Sequence, residues 1–140
     1  MSKSKAVGKA GALLSAVLLA VTMVATSYIG GQQRAVDRYV TSIATGNLTD
    51  YTAVTGDTSY TDKDTFKAAM RSWLNENGDF PDLEENSVVG ATARINSHDH
   101  ISLDRWICRT KVSYYSGSMS RVIEQDLTVV FSNGKWMIEQ

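Results

Sequence analysis

The sequence predicts an α+β chain: one membrane-spanning helix at the N-terminus, then three shorter helices packed on an antiparallel sheet of about four strands. Three observations carry this. No charged side chain stands between Lys9 and Arg34. Apolar residues recur at helical spacing from Gln32 to about Glu76, and from Ser87 onward the period changes to 2.

The uncharged run from Ala10 to Gly31 comes first. Leu13, Leu14, Val17, Leu18, Leu19, Val21, Met23, Val24 and Ile29 supply its hydrophobicity, and no polar face interrupts it. Roughly 20 such residues suffice to cross a bilayer as a helix. Lys3, Lys5 and Lys9 precede the run, whereas Arg34, Asp37 and Arg38 after it nearly cancel. That bias sets residues 1–9 in the cytoplasm as a basic tail, 10–31 as a single-pass anchor of the cell membrane, and 32–140 outside as an extracytoplasmic domain. A cleaved secretory signal, with small residues at Ala25 and Ser27, is the alternative; the domain is then secreted.

The part beyond the anchor carries no basic cluster or stripe, which argues against nucleic acid as a partner. Its length suits one domain with its own core. The single cysteine, Cys108, has no internal partner and reads as a small buried hydrophobe.

Val36, Tyr39, Val40 and Ile43 mark the first helix, with Arg34, Asp37, Arg38 and Ser42 expected to face elsewhere and Gly46 to end it. Asn47 caps a short helix from Leu48 to Val54 that turns Leu48 and Tyr51 inward. Thr55 to Tyr60 reads as a loop with a short strand. Thr61 starts the next helix, with Asp64 completing a capping box. Phe66, Ala69, Met70, Trp73 and Leu74 form its apolar stripe, and Gly78 stops it. Asp79 to Asn86, around the only proline, reads as an exposed acidic connection.

Val89, Ala91, Ala93 and Ile95 alternate on the first strand. The polar stretch from Asn96 to His100 is then expected to be a loop. Leu103 to Tyr115 is a long strand with Trp106, Cys108, Val112 and Tyr114 on one face. After a turn at 116–118, Ile123, Leu127, Val129 and Phe131 line the third strand. Asn133-Gly134 is a strong type I′ hairpin signal, because both central positions need positive φ. Trp136 and Ile138 alternate inward on the last strand.

This order of elements resembles the nuclear transport factor 2-like (cystatin-like) superfamily. The likeness rests on two phrases, Ala35-Val36-Asp37-Arg38-Tyr39-Val40-Thr41-Ser42-Ile43-Ala44-Thr45-Gly46-Asn47 and Leu127-Thr128-Val129-Val130-Phe131-Ser132-Asn133-Gly134-Lys135-Trp136-Met137-Ile138. It implies a cone-shaped domain in which a bent sheet curls around the helices. The phrases are structural and leave function open, since that superfamily hosts enzymes, ligand binders and assembly subunits.

Its enzymes set an Asp or His, often with a Tyr, deep in the cone, which would draw on Tyr39, Tyr51, Asp104, His98 or His100. The histidines fall in the expected loop, and the inward positions are mostly aliphatic or aromatic, so a non-enzymatic protein with no cofactor is the reading. His98 and His100 lack third and fourth metal ligands at a defined spacing, and the acidic connection lacks the spacing of a calcium loop. Cys108 sits mid-strand with no evident base beside it.

Two functions remain. One is an assembly subunit acting through a protein partner or self-association; one anchor plus one outward domain is similar in layout to the scaffold subunits of type IV secretion and Gram-positive conjugation machines. Ile107, Arg109, Lys111 and Tyr115, outward on the long strand, are its candidate partner surface. The other is a tethered binding module holding a small apolar ligand or peptide in the cone, lined by Tyr39, Trp73, Trp106 and Tyr114. An open strand edge favours the first, and convergent polar groups in a closed interior favour the second.

Overall fold

The computed structural model describes residues 30–80, 83–84 and 87–140, and all but the first two belong to one unit, 32–140. Helix α1 covers 30–45 and buries Ala35, Val36, Val40, Ile43 and Ala44. Ser42 is buried with them, contrary to its expected outward place, because its hydroxyl donates to the Tyr39 carbonyl at 2.6 Å and so carries no unmet polarity inside. At the exit Asn47 N donates to Ser42 O and Gly46 N to Ile43 O, with Gly46 at φ +68°. That is a Schellman ending, which glycine adopts without steric cost.

Helix α2 (Leu48–Thr55) starts on Asn47, whose side chain accepts from Asp50 N at 3.1 Å. It takes in Thr55, and no strand occurs at 55–60. Helix α3 (Lys63–Asn77) is capped by Asp62 rather than Thr61. The Asp62 carboxylate accepts from the backbone N–H of Thr65 at 3.0 Å and from its hydroxyl at 2.7 Å; a charged acceptor at a helix N-terminus outcompetes a neutral hydroxyl. Phe66 and Leu74 are buried as expected, but Arg71 joins them while Met70 and Trp73 are only half-covered. Beyond α3, Phe80 is buried, so the acidic connection is not exposed throughout.

Four antiparallel strands follow in the order β1-β2-β3-β4: β1 (Gly90–Ser102), β2 (Arg105–Ser116), β3 (Met119–Ser132) and β4 (Lys135–Ile138). Asn133 and Gly134 both take positive φ, +53° and +79°, at the β3–β4 turn. Cys108, Thr110, Val112 and Tyr114 of β2, Leu127 and Val129 of β3, and Trp136 and Ile138 of β4 are buried on the inner face. Helix α2 packs against β4 and α3. Phe131 is 37% exposed, since it sits at the hairpin end with its ring against Trp136, centroids 5.2 Å apart.

The expected loop at 96–100 is strand. Ile95 pairs with Thr110 and Ser97 with Arg109, so Asn96 is an extra residue in β1. A bulge of this kind shifts the alternation by one. Ala91, Ala93 and Ile95 therefore share the inner face with His98 and His100, which lie opposite Cys108 and Trp106.

Among the described residues no helix is long and apolar enough to cross a membrane. The expected anchor, 10–31, lies outside them apart from its last two residues.

Candidate functional site

The β2–β3 turn sets a register that decides the outer face. Tyr115 faces Ser120, Lys111 faces Glu124, Arg109 faces Asp126 and Ile107 faces Thr128. All four expected surface residues stand on this face, and two of them, Arg109 and Tyr115, meet groups of neighbouring strands. Arg109 Nε meets Asp126 Oδ1 at 3.4 Å, both exposed, a contact that contributes little stability. Lys111 stands across from Glu124, an opposite-charge pair. The Tyr115 ring lies over the backbone of Gly90, filling the space a side chain there would occupy. Ile107 is half-buried. Apolar exposure is greatest at the sheet's ends, in Tyr115, Met119 and Val122 at one and Ile101 and Leu103 at the other.

The two margins of the sheet differ. Along β1, the Gln33 side chain of α1 donates from Nε2 to Ala93 O at 3.0 Å and accepts at Oε1 from Ile95 N at 3.4 Å. A side-chain amide here occupies the edge groups that another strand would otherwise take, and the bulge at Asn96 breaks the edge further. Along β3, β4 reaches only Val129 to Ser132, plus Glu139 N donating to Thr128 O at 2.9 Å. From Met119 to Leu127, among the described residues, no strand pairs with the outer side of β3. Because backbone groups alternate in direction, the Thr128 bond shows that Ser120, Val122, Glu124 and Asp126 aim their N–H and C=O groups away from β2.

The expected cavity residues divide. Tyr114 is fully buried, its hydroxyl without a hydrogen-bond partner among the described residues, and Trp73 packs edge-on to it at 6.1 Å. Burial holds the Tyr114 phenol far above its ordinary value, and the nearby Tyr39 adds to this. Gln125, on the same face, also buries an unpartnered Oε1. Trp106 stands elsewhere, beside His100 at 5.3 Å and donating to Leu103 O at 3.2 Å. Tyr39 also neighbours Tyr51, whose hydroxyl donates to Asp57 at 2.9 Å.

The bulge assembles a group that the alternation pattern did not foretell. His98 Nδ1 lies 2.6 Å from Gln32 Oε1 on α1 and 3.8 Å from Cys108 Sγ; Gln32 and Cys108 are both fully buried. A base does stand beside Cys108, contrary to expectation. Yet burial pushes the thiol up to about 11, a direction that disfavours the thiolate. The arrangement is a polar tie between α1 and the sheet. Among the described residues no three His, Cys, Asp or Glu side chains converge on one point.

Arg71 is a second buried polar tie: Nη1 donates to Ala44 O at 2.9 Å and Nη2 to Ser87 O at 2.8 Å. Its charge rests at the carboxyl end of α1, where the helix dipole favours a cation. Compared with protein-family models, curated proteins and solved structures, the chain matches none.

Proposed function

We propose that the chain is a non-enzymatic interaction subunit, tethered to a membrane by residues 10–31, that offers its sheet to a protein partner by strand addition. The observation that carries this is that, among the described residues, no strand pairs with the outer side of β3 from Met119 to Leu127, while on the β1 margin Gln33 engages Ala93 and Ile95. An added strand gains main-chain hydrogen bonds from the margin and specificity from alternate side chains. The non-enzymatic reading is supported by the burial of the one thiol, which raises its pKa to about 11, and by the contact of His98 with Gln32. The nuclear transport factor 2-like order of elements belongs to this proposal, as does the layout resembling scaffold subunits of conjugation and secretion machines.

The test is a photocrosslinking residue in place of Glu124, on the free margin, compared with one in place of Ser72, exposed on α3. Adducts at position 124 and none at 72 in the host cell are expected. Equal labelling at both, or at neither, refutes docking at the β3 margin.

A second reading, a binding module with a small ligand inside the domain, is favoured by one observation: the Tyr114 hydroxyl and Gln125 Oε1 are buried without partners among the described residues, and buried polar groups ordinarily have them. Tyr114→Phe separates the two readings. It weakens binding of a small molecule that hydrogen-bonds there and leaves the crosslinks at 124 unchanged.

A further inference from the structure

We infer that the occupant of the β3 margin is a second copy of this chain, paired antiparallel about Ile123. The inference rests on the strand-addition reading and names its partner. The open stretch runs from Met119 to Leu127, so its midpoint is Ile123. A two-fold axis perpendicular to the sheet, passing just outside β3 beside that point, brings the two stretches together over their whole length and keeps both inner faces on one side. An isologous contact of this kind needs residues to pair as i with j and j with i, and face must match face. Centring on a residue satisfies this, because odd positions then meet odd ones.

The pairing that results brings apolar residues together and opposes no like charges. Ile123 meets Ile123, Met119 meets Leu127, and Arg121, whose Nε donates to Asp79 O at 3.1 Å within its own copy, meets Gln125. On the outer face Val122 meets Glu124 and Ser120 meets Asp126. Shifting the centre to Glu124 would set two glutamates face to face, and shifting it to Gln125 would set Glu124 against Asp126. Like charges directly opposite one another destabilise a strand pair. The backbone groups of Ser120, Val122, Glu124 and Asp126 that point off the sheet fall into the hydrogen-bonded positions of this register, giving about eight bonds between copies. Among the described residues β4 and Glu139 after it bond to β3 no further back than Thr128.

The experiment uses the full-length chain in detergent. Light scattering across a concentration series is expected to give twice the monomer mass. Val122→Pro removes one outward N–H while sparing every bond to β2, and is expected to raise the dimer dissociation constant about tenfold or more. Cysteine crosslinking tests the register independently of proline: the Ile123 positions are a narrow pair with Cα atoms about 4.5 Å apart, within disulfide reach. Ile123→Cys is expected to link to itself, and Arg121→Cys and Gln125→Cys to link only when the two variants are mixed; native Cys108 is buried and does not compete. A monomer at every concentration overturns the inference. So does a dimer that Ile123→Cys fails to link. If the chain is monomeric but position 124 still captures another protein in the cell, the second copy is refuted while strand addition stands; absence of both refutes the two together.

Discussion

Gly90→Ala, taken with Tyr115→Ala, tests whether the Tyr115 ring belongs to the sheet or is held out for a partner. Gly90 has no positive φ that would bar alanine. A methyl there would stand 2.5 Å from the Tyr115 phenol oxygen and closer still to Cζ and Cε2, against an ordinary contact of 3.4–4 Å. The ring must therefore withdraw by about 1 Å or more, losing its contact with the β1 backbone. Such overpacking costs about 1–3 kcal/mol, while alanine returns about 0.4–1 kcal/mol by restricting the unfolded chain. The net expectation is about 1–2 kcal/mol of destabilisation, read as a fall in Tm of roughly 5 °C or more. With Tyr115→Ala already present the obstruction is gone, and Gly90→Ala becomes neutral or slightly stabilising. Urea titrations of the four members of this cycle give a coupling of about 1–3 kcal/mol. Equal losses from Gly90→Ala in both backgrounds would refute the packing argument and return Tyr115 to the candidate surface.

Three further outcomes are expected. His98→Ala leaves the buried Gln32 amide without its closest partner and costs about 1–3 kcal/mol in a denaturant titration; a parent-like midpoint would show that the tie between α1 and β1 is idle. Cys108 resists iodoacetamide in the folded chain at pH 7–8, because its thiol is buried and raised to about 11; a folded state that favours the protonated thiol loses stability as pH rises from about 8.5 toward 11, and rapid alkylation under native conditions would contradict the burial. Asp62 is held below the usual carboxylate range by its hydrogen bonds to Thr65, so its contribution is complete above about pH 4 and fades as pH falls through its lower folded value. Asp62→Ala flattens that acid limb of the stability curve, and an unchanged limb would show that the cap contributes nothing.

Much of the domain was legible because local chemistry and burial agree. Asn133-Gly134 forces its turn by φ alone, and Gly46 and Asn47 mark a helix exit and the next entry through backbone groups that must be satisfied. The strand alternation of β2 survives in the structure because that strand is flanked on both sides and buried on one face.

What escaped was set by tertiary geometry. Nothing in Ile95-Asn96-Ser97-His98 announces a bulge, yet one extra residue reverses the facing of residues 97–100, and so His98 comes to Gln32. Arg71 is buried because two carbonyls from distant segments receive it, which no helical period encodes. The positions of Lys111 opposite Glu124 and of Arg109 opposite Asp126 were recoverable by counting outward from the turn at Gly117. Unequal strand length was likewise the signal for the β3 margin: fourteen residues of β3 against four of β4.

Gln33 holds two backbone groups at the β1 margin, Ala93 O and Ile95 N, that a neighbouring strand would otherwise use. If copies pair along β3 as inferred above, freeing those groups would give each molecule a second adhesive border, and molecules with two such borders can join without end instead of stopping at a pair. On that inference Gln33→Ala is expected to favour filaments over pairs.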